Sequence, residues 1–261
     1  MSAQPPPSLR AQARFLLEVI PPARFACHHT AAALWRAVTP TASDIHLGTR
    51  KRRHSTCDGV RLHFYTHEPE LVWHRGLWLT SPAQTFLDLA AFLEFIDLLV
   101  LGDSLVRRTD VTPSQLREFV ADRHSNGARR AREVAAHVRS KVDSPNESRL
   151  RLLITSAGMV EPTIGHIVQL GSRHRRLDLS YPELKLAIEF DGRYHIDREA
   201  QWDKDILRRE EVEGLGWRFL IITSTAMFQE PLRVLRRIAD GVQLRTGQPV
   251  PIGDGWRRHF G

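Results

Sequence analysis

The chain has 261 residues, of which 42% are hydrophobic and 26% charged, and its formal net charge at pH 7 is +7. Such a length allows one large domain or two smaller ones, each with a sizeable core. No apolar run approaches the ~18 residues that cross a membrane, and residues 1–20 lack the apolar core of a signal peptide. We therefore expect a cytoplasmic protein without membrane association. The basic balance favours a polyanionic partner.

The first part of the chain, residues 1–143, has the pattern of a mixed α/β region with several helices. Helix starts are predicted at Ser81-Pro82 and Thr112-Pro113, because a capping hydroxyl followed by proline suits the first helical turn. Thr30 is predicted to cap a short helix. The other segments are a helix over 10–20, a strand and helix over 24–37, three strand-like runs within 44–79, core helices over 86–106 and a basic amphipathic helix over 126–140 that could bridge two domains.

A run of consecutive cations lies in a loop of this region, at Arg50, Lys51, Arg52 and Arg53. Because like charges repel, such a loop is either solvated or faces phosphate groups. Both interpretations remain open from the sequence.

Cysteine and histidine residues recur in the same region, at Cys27, His28, His29, His54, Cys57, His63 and His67. Only His63 and His67 have the close spacing of a zinc-ligand pair. They lie at the end of a predicted strand, each with few thiol partners nearby. We therefore expect surface or hydrogen-bonded histidines here rather than a metal site.

A boundary is predicted at Asp143-Ser144-Pro145, so the second domain spans residues 144–261. Ser144 is the predicted helix cap, with Glu147 reaching back to its amide in a capping box. The segments that follow are strands over 164–170, 175–181 and 184–190, a helix, a strand over 217–223 and a helix over 228–244. The predicted class is therefore α/β (α+β), with the order helix, three strands, helix, strand, helix.

The two neighbouring strands of the predicted hairpin each contain a carboxylate side chain. Asp178 and Glu189 fall on the polar faces, at positions where strand propensity disfavours acids. One explanation is a divalent cation, since Mg²⁺ prefers hard oxygen ligands. The other is a solvent-facing sheet edge with scattered charges, and the alternation alone does not separate the two.

The same stretch resembles the very-short-patch-repair (Vsr)-like branch of the PD-(D/E)xK restriction-endonuclease-like nucleases. The matching positions are Asp178, then Glu189, Asp191, Gly192 and His195, then Asp205 and Arg208, then Gly216, Trp217 and Arg218. The resemblance covers about residues 144–245. It implies a restriction-endonuclease-like core and a DNA endonuclease that requires Mg²⁺ or Mn²⁺.

The resemblance also implies a role for each matched residue. Asp178, Glu189 and the carbonyl of Phe190 would bind the metal, and His195 would act as general base with Asp191 beside it. Glu147 belongs to the rim of the site. Arg208 would contact phosphate, with Asp205 as its partner. Asp191 replaces the lysine of the general pattern, so an inactive descendant remains an alternative.

The N-terminal part is similar to AbiEi-type antitoxin-like proteins. The likeness rests on Cys27-His28-His29-Thr30-Ala31-Ala32 and, more loosely, on 76–82 and 85–90. The sequence before this element leaves little room for the winged helix that usually precedes it.

The two resemblances lead to two functional hypotheses. The first is a metal-dependent DNA endonuclease in phage defence or repair. The alternative is a non-catalytic DNA-binding regulator that keeps the nuclease fold; a homodimer is compatible with either.

Overall fold

A computed structural model describes residues 7–52, 57–191, 207 and 209–261, and it has an α/β fold with mixed sheets. The chain divides into two compact units, Met1–Ser140 and Lys141–Gly261. This division falls three residues before the boundary placed after Asp143. None of the helices in the described ranges is both long enough and apolar enough to cross a membrane.

The first unit holds a five-stranded sheet surrounded by helices. Its helices are α1 (Leu9–Val19), α2 (His28–Leu34), α3 (Pro82–Leu89), α4 (Phe95–Arg108), α5 (Pro113–Ala121) and α6 (Ala128–Ala135). Its strands are β1 (Ala23–Ala26), β2 (Ile45–Thr49), β3 (Val60–Phe64), β4 (Leu71–His74) and β5 (Leu77–Thr80). They lie in the order β3-β2-β1-β5-β4, with β2 and β3 parallel.

Capping chemistry fixes several helix starts in this unit. The Ser81 hydroxyl accepts a hydrogen bond from the Gln84 amide at 3.1 Å, and a helix starts after Thr112, both as predicted. Thr112 and Gln115 also form a complete capping box. The cap predicted at Thr30 was wrong, because α2 begins at His28, Cys27 occupies the N-cap position and Thr30 lies inside the helix. The Thr30 hydroxyl instead accepts the amide N–H of His46 at 2.7 Å, which ties α2 to β2.

The segment from 44 to 80 forms four strands instead of the three that were predicted. A tight turn at Arg75 and Gly76 divides β4 from β5, and both residues have positive φ. The basic helix α6 packs against α4 and α5 within its own unit. Its arginines serve that packing: Arg130 donates to the Leu93 carbonyl and Arg132 to the Arg123 carbonyl, both at 2.6 Å.

In its described residues, the second unit contains a four-stranded sheet, a separate two-stranded ribbon and several helices. The helices are α7 (Pro145–Ser156), α8 (Ser224–Gln229), α9 (Pro231–Thr246) and α10 (Arg257–Phe260), and residues 209–213 are also helical. The strands are β6 (Thr163–Ile164), β7 (Ile167–Leu170), β8 (Arg173–Arg176), β9 (Leu179–Tyr181), β10 (Leu186–Asp191) and β11 (Arg218–Thr223).

The main sheet has the order β11-β10-β9-β6, and β7 pairs with β8 apart from it. The continuous strand predicted over 175–181 was wrong, because the chain leaves the ribbon after Arg176 and joins the main sheet at Leu179. The strand predicted over 164–170 is likewise broken, at Gly165, where φ is +62° and a Cβ would lie 2.5 Å from the Arg176 guanidinium. A side chain there would displace that guanidinium.

Strand β10 is the central strand of this sheet and is covered on both faces near its start. Leu186 and Ile188 pack into the main core with residues of α7, β11 and α9. Ala187 packs on the opposite face with Val212 and Trp217. Because both faces are closed there, the strand reaches a partly exposed environment only toward Glu189 and Asp191.

Candidate active site

The predicted carboxylates come from three different elements of the second unit. Glu147 lies in the first turn of α7, Asp178 in the link between β8 and β9, and Glu189 in β10. Glu147 is only 4% exposed, and the other two are half-buried. Asp178 is 31 positions from Glu147 and 11 positions from Glu189 in the sequence, yet its charge acts on both of them in the folded unit.

Glu147 is held by the start of its own helix. Its amide N–H donates to the Ser144 hydroxyl at 3.2 Å, as the predicted cap requires. Its carboxylate accepts the amide N–H of Asp143 at 3.0 Å, so the predicted return bond to Ser144 was displaced by one residue. Burial raises the pKa of Glu147, and the charge of Asp178 raises it further.

Asp178 is anchored to the neighbouring strand. Its Oδ2 accepts the amide N–H of Phe190 at 3.2 Å, which places this carboxylate directly beside the end of β10. Burial raises the pKa of Asp178, against the lowering effects of that hydrogen bond and of the Arg176 charge.

Glu189 forms a direct ion pair with Arg175. Arg175 Nη2 donates to both carboxylate oxygens, at 3.0 and 2.9 Å. Burial nevertheless raises the pKa of Glu189, and the Asp178 charge adds to that rise while Arg175 opposes it. Asp178 is thus the shared neighbour of both other acids.

This arrangement suits a hard cation. Half-buried carboxylates that repel one another are stabilised by a proton or by a positive charge. Mg²⁺ is usually bound through one or two carboxylates and several waters, so it does not need three converging side chains. Among the described residues the three acids do not form a set with oxygens all within 4.8 Å, and a shared ion would rest on one or two of them.

The structure describes only some of the other predicted site residues. Asp191 ends β10 and is half-buried, and the Phe190 side chain packs against the main core. His195, Asp205, Arg208 and Arg53 lie outside the described residues.

The described part of the basic loop is exposed at the surface of the first unit. Arg50, Lys51 and Arg52 all lie in this exposed stretch. Arg50 is drawn back toward the end of β3, where it donates to the Tyr65 carbonyl at 2.8 Å and pairs with Glu68 at 3.4 Å.

Two arginines around the acids, Arg175 and Arg176, were missed by the sequence reasoning. Arg175 neutralises Glu189, and Arg176 pairs with Asp143 and donates to the Lys141 carbonyl. The available signal was the basic strand β8, which immediately precedes Asp178. A strand rich in arginine next to acid-bearing strands predicts ion pairs across them.

The histidine-rich region of the first unit contains a close group that the sequence spacing did not show. Cys27, His28 and His63 place one ligand atom each within 4.8 Å of the others. Spacing could not show it, because His63 lies in β3 and the other two residues lie at the start of α2, far away in the sequence. His67 is exposed, and His54 lies outside the described residues.

Comparison with known proteins yields two curated relatives and no matching family model. They are the uncharacterized proteins MT2308 and Rv2248 of Mycobacterium tuberculosis, from strains CDC 1551 / Oshkosh and H37Rv. Each is 27% identical over 216 residues, which span 82% of this chain and 79% of the relative. No solved structure matches the chain. Because the aligned length exceeds that of either unit, the similarity extends over residues of both.

Proposed function

We propose that the second unit is a divalent-metal-dependent DNA endonuclease. The observation that carries this proposal is the placement of Asp178, whose Oδ2 accepts the amide N–H of Phe190 at 3.2 Å and so lies beside the end of β10 that carries Glu189. The buried Glu147 is close enough for its charge to act on the same group. Three acids from separate elements are costly to hold together unless a cation balances them during function. The resemblance to Vsr-like nucleases supplies the reaction class.

The donor set fits Mg²⁺ or Mn²⁺, with Asp178 and Glu189 as the principal ligands and the Phe190 carbonyl as a third candidate. A bound divalent ion polarises a phosphoryl oxygen and lowers the pKa of bound water. Asp178 is oriented for this role by the Phe190 amide. His195, outside the described residues, is the proposed general base, since imidazole exchanges protons near neutrality.

DNA is the proposed substrate, and arginine and lysine side chains are the proposed contacts to its phosphates. Arg208 would contact the phosphate near the site, and the exposed Arg50, Lys51 and Arg52 would contact the backbone elsewhere. Such contacts position a duplex without reading its sequence.

A second candidate is a DNA-binding regulator without catalysis, and one observation favours it. Glu189 is already neutralised by Arg175, and Asp143 by Arg176. If these pairs persist in solution, the acids need no metal, and the unit would serve only as a binding scaffold.

Plasmid cleavage separates the two candidates. Wild-type protein, Asp178→Asn and the exposed control Asp240→Asn are incubated with supercoiled DNA in Mg²⁺, in Mn²⁺ and in chelator. The endonuclease proposal expects metal-dependent nicking by wild type and Asp240→Asn, and at least a hundredfold loss in Asp178→Asn. Gel shifts without cleavage under every condition would support the regulator, and the absence of both would overturn both candidates.

A further inference from the structure

The first unit contains a buried cluster of sulfur and nitrogen donors that the nuclease proposal does not use. Cys27 precedes α2 and is fully buried, and His28 opens α2 with 6% exposure. His63 projects from β3, and His46 lies on the adjacent strand β2 with 6% exposure.

The side chains of this cluster are in close contact. The rings of His28 and His63 stack with centroids 3.6 Å apart and planes inclined by 20°. His46 Nδ1 and His63 Nε2 lie 2.9 Å apart. Cys27, His28 and His63 each place a ligand atom within 4.8 Å of the other two.

One imidazole nitrogen of the cluster has no hydrogen-bond partner among the described residues. Nδ1 of His28 is buried and makes no hydrogen bond to the described residues. A polar atom that is buried without a hydrogen bond destabilises the folded state, so its persistence in the core calls for a ligand. The backbone of His28 is also strained, because its φ is 49°, a value that residues other than glycine seldom adopt.

A basic side chain lies next to the cluster. Arg61 is the register partner of His46 across β2 and β3, and it is paired with Asp44 at 3.1 Å. This pairing partly balances the charge of Arg61 and so reduces its repulsion of a metal ion.

A hydrogen-bonded carboxyl group, that of Asp88, lies near the thiol. The Tyr65 hydroxyl donates to Asp88 Oδ2 at 2.5 Å, and Tyr65 is also hydrogen-bonded to Cys27. A metal ion would stabilise the thiolate, and Asp88 would help to offset the added positive charge.

We propose that Cys27, His28 and His63 bind a divalent transition-metal ion of the Zn²⁺ type in the first unit. A mixed thiolate and imidazole set is typical of Zn²⁺ and is a poor one for Mg²⁺. His46 holds the His63 ring from the side as an outer partner. Because imidazole binds a metal in its own plane, one of the stacked rings turns about its Cβ–Cγ bond when the ion enters.

Cobalt substitution tests this site directly in the full chain. Protein stripped with chelator is titrated with Co²⁺, and the near-ultraviolet thiolate-to-cobalt charge-transfer band is recorded. We expect one equivalent of Co²⁺, displaced by Zn²⁺. The band is lost in Cys27→Ser and kept in Cys57→Ser, in which the exposed cysteine is replaced instead.

Two histidine variants provide a second test, which remains informative even if Cys27→Ser does not fold. His63→Gln is expected to weaken Co²⁺ binding at least tenfold, whereas the exposed His67→Gln leaves it unchanged. Asp178→Asn keeps the band, because the nuclease site is separate. Absence of a thiolate band at stoichiometric Co²⁺, or equal affinity in the two histidine variants, would overturn the proposal.

Discussion

Arg175 is the residue on which the interpretation of the acid group depends most. Its Nη2 contacts both oxygens of Glu189, and its guanidinium also lies 5.1 Å from the Phe219 ring centroid. A metal ion bound to Glu189 would compete with this guanidinium for the same lone pairs. The ion pair is therefore the metal-free form of the site in our account.

We predict that Arg175→Gln lowers the free energy of unfolding by about 1–3 kcal/mol, because Glu189 is left half-buried without its counter-charge. Addition of Mg²⁺ should then raise the melting temperature of the variant more than that of wild type. Arg173→Gln, which breaks the exposed pair with Glu211, is the control and should change stability by less than about 1 kcal/mol. An equal response of all three proteins to Mg²⁺ would contradict competition at Glu189.

Asp88 allows a pH prediction within the first unit. Burial raises its pKa to about 7, while the hydrogen bonds from Tyr65 and Gln84 oppose the rise. The folded state thus holds a proton that the unfolded state has lost. This contribution to stability is full below about pH 4 and disappears as the pH rises through 7.

We predict that Asp88→Asn flattens this pH dependence, because asparagine keeps a neutral side chain throughout. Asp88 is partly exposed, so we expect an effect of about 1–2 kcal/mol between pH 4 and 8 rather than the ~4 kcal/mol of the full pKa difference. Urea unfolding in chelator measures it, with the exposed Asp110→Asn as control. Parallel pH profiles for wild type and Asp88→Asn would refute the prediction.

At the scale of elements, helix α7 positions Glu147 through its first turn. Ser144 accepts the Glu147 amide, and Glu147 reaches the Asp143 amide, so the cap and the site residue are coupled. We predict that Ser144→Ala costs about 1 kcal/mol of unfolding free energy and reduces DNA cleavage severalfold.

Thr112→Ala provides the matched control, since it removes the cap of a helix that carries no residue of the acid group. It should cost a similar free energy without changing cleavage. Equal cleavage by both cap variants would mean that the start of α7 does not set the position of Glu147.

Local chemistry made some of these elements predictable. Hydroxyl caps at Ser81, Thr112 and Ser144 act within a few residues, and the structure has all three. The hairpin between β9 and β10 is also present, with a 3-10 turn over Pro182–Leu184. The break of the strand after Arg176 was not predictable, because alternation cannot show that consecutive residues join different sheets.

At the scale of the molecule, the α/β class and the presence of two units follow from patterns that the sequence displays. The acid group was partly predictable, since Glu189 lies on β10 and Asp178 directly precedes β9, which pairs with β10. The counter-ions and the cluster of Cys27, His28 and His63 were not, because long-range contacts across strands decide them. Spacing along the chain carries no information on such contacts.

The central claim is that the acids around Asp178 bind a divalent cation, and a Mn²⁺ binding isotherm tests it most directly. Mn²⁺ prefers oxygen ligands, which directs it to the carboxylates rather than to the thiol cluster. The account predicts one Mn²⁺ per chain for wild type and for the exposed control Glu183→Gln. It predicts at least tenfold weaker binding for Asp178→Asn. Indistinguishable isotherms for wild type and a folded Asp178→Asn would contradict it.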